Sequence, residues 1–311
     1  MPRAVDLAYV RYQVPDLDKM QTFMEDFGLI TAKRTDDVLL MRGGGVAPVV
    51  HITYKGDKKF LGGALIMSSK EDLEELAKLE GSGPVEEITD LPGGGWRVRM
   101  QHPDGLEIDG VWGQEPVEPI EHRSSHHFNW GDRKERVNQS LRPQREPGLA
   151  LKLGHFVLKV RDHDQTLAWM RERFAMLDSD KMIVPSVNKA VGTFIRFDLG
   201  SELVDHHSIL INEASEVGCH HCAFEMQDFD AVMGAHDYLV SKGYHLDIGV
   251  GRHLIGSQIF DYWTDPFGNR IEHYTDGDAN TAEYKGKDYY LDDEGPTKSQ
   301  WGMDPTPEFF R

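Results

Sequence analysis

The sequence predicts an α+β fold of duplicated βαβββ modules, in two domains that each curve around a cleft. Three observations carry that expectation. The chain repeats itself: LAYVRYQVPDLDKMQTFMEDFGL (7–29) lines up with LGHFVLKVRDHDQTLAWMRERFAML (153–177). Both copies read as an alternating apolar strand, an Asp-bearing turn and an amphipathic helix. Both halves also close alike, MQHPDGLEID (100–109) against WTDPFGNRIE (263–272), each a strand, a Pro/Gly turn and a second strand.

Between these come GGALIMSSKEDLEELAKL (62–79) and HCAFEMQDFDAVMGAHDYLVSKG (221–243), each a strand running into a helix. Each half is therefore two similar modules, with helices packed on one face of a curved sheet. We divide the chain into an N-terminal domain (1–113), an ordered linker rich in Pro, Arg, His and Ser (114–150), a C-terminal domain (151–276) and a polar tail (277–311). The tail's scattered aromatics are expected to anchor it to the body or to a neighbouring subunit. Gly43–Gly45 has no following Lys-Ser/Thr and no strand–helix context, so it reads as a hairpin and not a phosphate loop.

Composition removes several function classes. The chain has 311 residues, 39% hydrophobic and 28% charged, enough for two domains with their own cores. A net charge of −18 argues against nucleic acid and against an anionic membrane surface. No stretch approaches the roughly 20 apolar residues of a membrane span, and the N-terminus lacks the pattern of a signal peptide. The two cysteines, Cys219 and Cys222, sit in a strand-like CHHC segment with no second CxxC, which predicts structural thiols and no zinc or redox pair. Together these features lead us to expect a cytoplasmic protein.

Three strand-like segments of the second half carry metal-ligand chemistry: LGHFVLKV with His155, CHHCAFEM with His221, and NRIEHYTD with Glu272. Two imidazoles and one carboxylate form the three-ligand face that holds non-haem Fe(II) and leaves positions open for substrate and dioxygen. In the first half Tyr9, Gly62 or Gly63, and Asp109 stand at the corresponding places, so that copy should not bind metal. His206–His207 and His220–His221 are adjacent pairs. A strand sends neighbours to opposite faces, so only one of each should point at a metal, and periodicity leaves open which. His273, next to Glu272, should point away, while His126 and His127 read as structural or surface residues of the linker. Phe194, Phe197, Trp169 and Phe174 read as core.

The duplicated architecture, with VDHHSILI carrying His207 and GRHLIGSQIFDYWTDPFGNRIEHY carrying His253, Tyr262 and Glu272, resembles the vicinal oxygen chelate superfamily. Within it, the second half is similar to type I extradiol ring-cleaving dioxygenases, such as the catechol 2,3-dioxygenases and 2,3-dihydroxybiphenyl 1,2-dioxygenases. The spacing of His253, Tyr262 and Glu272 follows the family pattern; Leu254, Ile255 and Gly256 depart from the polar residue often found there, which leaves substrate identity open.

The resemblance implies His155, His221 and Glu272 as metal ligands for Fe(II), with Mn(II) an alternative in the same set, and O2 as co-substrate. It implies His207 as the base that takes a proton from the diol and later returns one. His253 and Tyr262 would hydrogen-bond the substrate oxygens. The expected substrate is a substituted catechol, a small molecule opened next to its diol, and a homo-oligomer is expected on the same grounds. A carboxylated catechol would call for Arg196, Arg252 or Lys181 in the pocket. Two other readings stay open: a non-redox lyase or epimerase on the same scaffold, and a metal-free binding protein.

Overall fold

The computed structural model describes residues 1–292 and 298–309. Its first half runs β1 (Ala4–Val14), α1 (Leu17–Phe27), β2 (Ile30–Arg34), β3 (Val38–Arg42), β4 (His51–Lys55), β5 (Lys59–Met67), α2 (Lys70–Leu76), β6 (Glu86–Glu87), β7 (Trp96–Gln101) and β8 (Glu107–Trp112). The second half repeats the order with β9 (Ala150–Val160), α3 (His163–Phe174), β10 (Leu177–Val184), β11 (Lys189–Arg196), β12 (Val204–Asp205) and β13 (Ile209–Glu213). It continues with β14 (Gly218–Met226), α4 (Phe229–Lys242), β15 (His245–His253), β16 (Ile259–Thr264) and β17 (Arg270–Thr275). The tail contributes β18 (Ala279–Asn280), β19 (Asp288–Tyr290) and β20 (Ser299–Gly302). The α+β class and the duplicated modules expected from the sequence are what the chain forms. Gly43–Gly45 lies in the loop of the antiparallel β3–β4 hairpin.

The Asp-bearing turns act as helix caps: Asp16, Asp162 and Asp228 accept backbone N–H groups at the starts of α1, α3 and α4. α1 ends at Gly28, whose φ of 115° is open to glycine alone. A Cβ there would also lie 1.7 Å from the carbonyl oxygen of Gly148, so this turn is where the end of the linker passes the first half.

Two curved sheets result, ordered β2-β3-β4-β1-β5-β8-β7-β6 and β19-β10-β11-β13-β9-β14-β17-β16-β15-β20, with β12 and β18 paired separately. Among the described residues, one apolar core contains side chains of both halves, from Ala4 through Phe27 and Phe156 to Ile271. Phe27 of α1 stacks on His273 of β17 at 3.7 Å between ring centroids and meets Phe224 edge-on at 6.1 Å. Removing each such ring from water contributes about 1.5–3 kcal/mol, so the halves are held by burial. His273 turns away from Glu272, as a strand neighbour should. Its Nε2 donates to the Phe27 carbonyl at 2.7 Å, while Nδ1 faces Asp261 at 3.0 Å. The cysteines lie on β14, free, with the Tyr12 hydroxyl between their thiols; burial pushes Cys219 up to about 12.

The linker between β8 and β9 has neither helix nor strand. His126 sits beside Asp230 at 2.7 Å, and His127 is exposed. Among the described residues, no helix is long and apolar enough to cross a membrane. The tail does more than anchor itself. β19 joins one edge of the larger sheet, beside β10, and β20 joins the other, beside β15. Tail residues 293–297 and 310–311 lie outside the described residues.

One prediction arises here. Gly154 precedes His155 on β9, and a Cβ at Gly154 would lie 1.8 Å from the Tyr274 hydroxyl. The two residues lie on β9 and β17, the strands on either side of β14, and Tyr274 is buried in the packed sheet face, with little room to move. Gly154→Ala is expected to destabilise the fold by about 1–3 kcal/mol through overpacking, read as a fall in the denaturation midpoint; an unchanged midpoint would show that Tyr274 is free to swing aside.

Candidate metal centre and cavity

Strand register brings the three candidate ligands together. Ala223 of β14 pairs with His155 on β9 and, on its other side, with Glu272 on β17. His155 and Glu272 therefore stand level across one strand, their side chains on one face. His221 lies two residues before Ala223, where the register of β14 slips between Cys219 and Cys222. The outcome is a buried cluster: His155 Nε2 is 3.0 Å from Glu272 Oε2, His221 Nε2 is 3.2 Å from the same oxygen, and the two Nε2 atoms are 3.3 Å apart.

The residues present fit a metal ion. Two nitrogens crowd one carboxylate oxygen, while among the described residues no hydrogen bond engages the buried Glu272 Oε1 or His155 Nδ1. Ligand atoms at right angles, each about 2.1–2.3 Å from an ion, stand about 3.0–3.3 Å apart. The observed separations match one face of such a site. Burial holds the His221 imidazole down at about 4, so it is neutral and free to ligate. Burial alone would raise Glu272, but the imidazoles of His155, His221 and His253 hold it well below the usual carboxylate range. Two imidazole nitrogens and one carboxylate are the donor set of a divalent first-row metal.

The same register explains the first half. There Ala64 pairs with Tyr9 and with Asp109, and two residues before Ala64 stands Gly62. Gly62, and not Gly63, is therefore the counterpart of His221. The Tyr9 hydroxyl donates to Asp109 at 2.9 Å, and the Arg11 guanidinium lies 3.4 Å from that carboxylate. A side-chain cation thus stands beside this carboxylate, and Ala8, Leu40, Ile52 and Leu91 help fill the rest of the face.

The cluster lies at a cavity of about 340 Å3 in the second half. His207, His253 and Tyr262 line it together with His155 and His221. His207 is held by Phe194 at 4.8 Å and by the His155 ring at 4.3 Å, and burial lowers it well below the usual imidazole range. His253 Nε2 lies 2.9 Å from the Tyr262 oxygen and 3.4 Å from Glu272 Oε1. Burial, then the Glu272 charge, raises the Tyr262 phenol well above its ordinary value, so it stays a neutral O–H donor.

Some expectations need correction. Strict alternation does not separate the histidine pairs. The slip on β14 turns His220 and His221 to the same cavity, and His206–His207 lie in a bend before β13. His220 takes a separate place, with Nδ1 2.7 Å from His221 Nδ1 and Nε2 2.6 Å from the Phe309 carbonyl. Phe194 lines the cavity, whereas Phe197, Trp169 and Phe174 are core.

None of the three proposed pocket cations lines the cavity. Arg196 is spent on the carbonyls of Asp178, Thr281 and Tyr284, Arg252 on Asp276, and Lys181 on Asp178. Among the described residues, the Lys or Arg that does line it is Lys298 of the tail, which is exposed. Tail residues Leu291, Pro305 and Phe309 complete the wall, with the Phe309 ring 4.9 Å from Tyr262 and beneath the Arg270 guanidinium. Periodicity carries no signal for these residues, because the tail reaches the site only by folding back.

Comparison with known proteins agrees with this geometry. Residues 152–273 match the family described as Glyoxalase/Bleomycin resistance protein/Dioxygenase superfamily. Metapyrocatechase 2 of Cupriavidus necator is 26% identical over 301 residues, covering 96% of this chain and 88% of that protein. Homoprotocatechuate 2,3-dioxygenase from Brevibacterium fuscum superposes with a TM-score of 0.81 at 18% identity, over 99% of this chain and 92% of that one. The Mn(II)-bound glyoxalase from Novosphingobium aromaticivorans superposes with a TM-score of 0.79 at 21% identity, over 99% and 94%. The stretch that matches the Glyoxalase/Bleomycin resistance protein/Dioxygenase superfamily model, residues 152–273, is thus the one that carries the histidine–histidine–glutamate cluster, and the whole chain has the fold of these solved structures.

Proposed function

We propose that this protein is an Fe(II)-dependent extradiol dioxygenase that opens a catechol with O2 at the bond adjacent to its diol, giving a muconic semialdehyde-type product. The observation that carries the reading is the convergence of His155, His221 and Glu272 on one point at a cavity that His207, His253 and Tyr262 also line. The similarity to metapyrocatechase 2 supports the same reading. His155, His221 and Glu272 would hold the iron, and Mn(II) suits the same donors. A bound ferrous ion supplies a Lewis acid for the diol and an electron path between ring and dioxygen.

The chain's own groups do the remaining work. His207, neutral at rest, accepts a proton from the diol as it binds and returns one later in the reaction. The Tyr262 hydroxyl donates to a substrate oxygen and favours its anionic form, with His253 beside it. Val157, Met182, Val191, Leu210, Ile255 and Leu291 keep the ring in an apolar enclosure, which strengthens each of these polar contacts.

The lining also speaks to the substrate. A cavity of this size falls within the range of about 300–1,000 Å3 usual for small-molecule sites. Away from the histidines its wall is mainly apolar, and Lys298 stands at the rim. A carboxylate pressed on the apolar part of that wall, away from Lys298, would lose its hydration without a paired cation. The preferred substrate is therefore a catechol with an uncharged apolar substituent.

The test is oxygen uptake by anaerobically purified, iron-assayed protein with catechol, 3-methylcatechol, 2,3-dihydroxybiphenyl and 3,4-dihydroxyphenylacetate. Uptake with a yellow product, fastest for the apolar-substituted diols, is expected. Fastest turnover of 3,4-dihydroxyphenylacetate would overturn the substrate preference alone. No uptake by protein holding about one Fe(II) per chain would overturn the dioxygenase reading in favour of metal-dependent proton transfer, the chemistry open to a glyoxalase-like fold.

A further inference from the structure

We infer that Asp180 and His206 are positioning residues that place the single proton of neutral His207 on Nδ1, leaving the Nε2 lone pair toward the cavity. The inference rests on a buried chain of three side chains behind His207. His206 Nε2 is 3.0 Å from Asp180 Oδ2, and His206 Nδ1 is 3.0 Å from His207 Nδ1. All three residues are at most 4% exposed, so water does not compete for these bonds.

Donor and acceptor roles follow from the carboxylate end. Asp180 Oδ1 already accepts the Tyr284 hydroxyl at 2.9 Å and the Lys287 backbone N–H at 2.8 Å. Burial would raise this carboxyl, yet the contacts with His206, Tyr284 and Lys287 hold it below the ordinary value, so it is an ion. An ionised carboxylate only accepts, and His206 Nε2 must therefore donate. The inference gives His206 a single N–H, the one donated to Asp180; its Nδ1 is then an acceptor, and the atom facing it, His207 Nδ1, donates. His207 then has no proton on Nε2, and among the described residues no hydrogen bond engages that atom.

The chain is braced from both sides. The Ser179 hydroxyl donates to the His206 carbonyl, Arg196 donates to Ser179 Oγ at 3.0 Å, and the His206 N–H donates to the Asp278 carbonyl at 2.8 Å. This gives Arg196 a task in place of substrate binding. It also makes the first part of the tail, through Tyr284 and Lys287, a component of the site.

The inference rests on the reading of His207 as proton acceptor, but its test does not depend on turnover. Protein labelled with 15N-histidine and loaded with diamagnetic Zn(II) is examined for two-bond 1H–15N correlations. The expected result is His207 protonated at Nδ1 and bare at Nε2; a proton on Nε2 in the wild-type protein overturns the inference outright. In Asp180→Asn the amide has both a donor and an acceptor and no longer dictates the roles. There the His207 signal should shift to the other tautomer or a mixture. kcat should fall about 10–100-fold with KM for catechol within about twofold, and Asp180→Glu should recover part of the loss. A fall in kcat with the His207 tautomer unchanged would make Asp180 merely structural and sink the proposal. The wild-type spectrum stands by itself if Asp180→Asn does not fold. The expected tautomer in a protein that consumes no oxygen with any catechol would count against the dioxygenase reading and leave this one intact.

Discussion

Glu272→Ala is expected to lose metal and oxygen consumption together while the fold survives. Glu272 is the anionic member of the cluster and is fully buried. Its removal leaves two imidazoles, groups that burial drives toward the neutral form, so the apo protein need hold no unpaired buried ion in the native state. Strand β17 keeps its place, because backbone pairing to β14 and β16 does not involve the side chain. Two neutral nitrogens hold a divalent cation far more weakly than a set that includes a carboxylate. Iron content should fall from about one per chain to below about 0.1, and uptake by more than about 10³-fold. Circular dichroism checks the fold and metal analysis the site. Retention of iron near one per chain with normal uptake would remove Glu272 from the ligand set.

His207→Phe separates binding from chemistry. The ring it replaces is wedged between Phe194 and His155, and phenylalanine fills the same flat space. Metal and catechol binding should therefore persist. What disappears is, among the described residues, the one imidazole lining the cavity that is neither in the cluster nor paired with Tyr262 or Phe309. Loss of a positioned general base costs about 10²–10⁴ in kcat, and that range is expected at constant iron content. Equilibrium binding of catechol under nitrogen, set beside the rate of oxygen uptake, reads the two effects apart. A variant that keeps the wild-type kcat would show that the proton goes elsewhere.

The two expectations differ in how far the sequence alone supports them. Glu272 follows from a strand that ends each half of a repeat, with Asp109 at the matching place. His207 comes from a family resemblance, since nothing local distinguishes it from His206. The structure places His207 on the cavity beside the cluster that contains Glu272, and also shows what separates the neighbours: His206 is engaged by Asp180, and His207 borders the open space. His221 and His220 are parted in the same way, one by the cluster and the other by the Phe309 carbonyl.

Local patterning by itself determined the duplicated strand–helix order, the capping aspartates, the place of the hairpin at Gly43–Gly45 and the segments from which the cluster is drawn. These depend on periodicity and on turn chemistry within a few residues, which a linear chain displays directly. Tertiary structure alone decided the slip on β14, the apolar wall with Lys298 at its rim, the commitment of Arg196 to backbone carbonyls and the tail's return over the site. Each of those depends on which strands become neighbours and in what register. Contacts of that kind join residues a hundred or more positions apart, as between His155 and Glu272, and leave no mark on the local sequence.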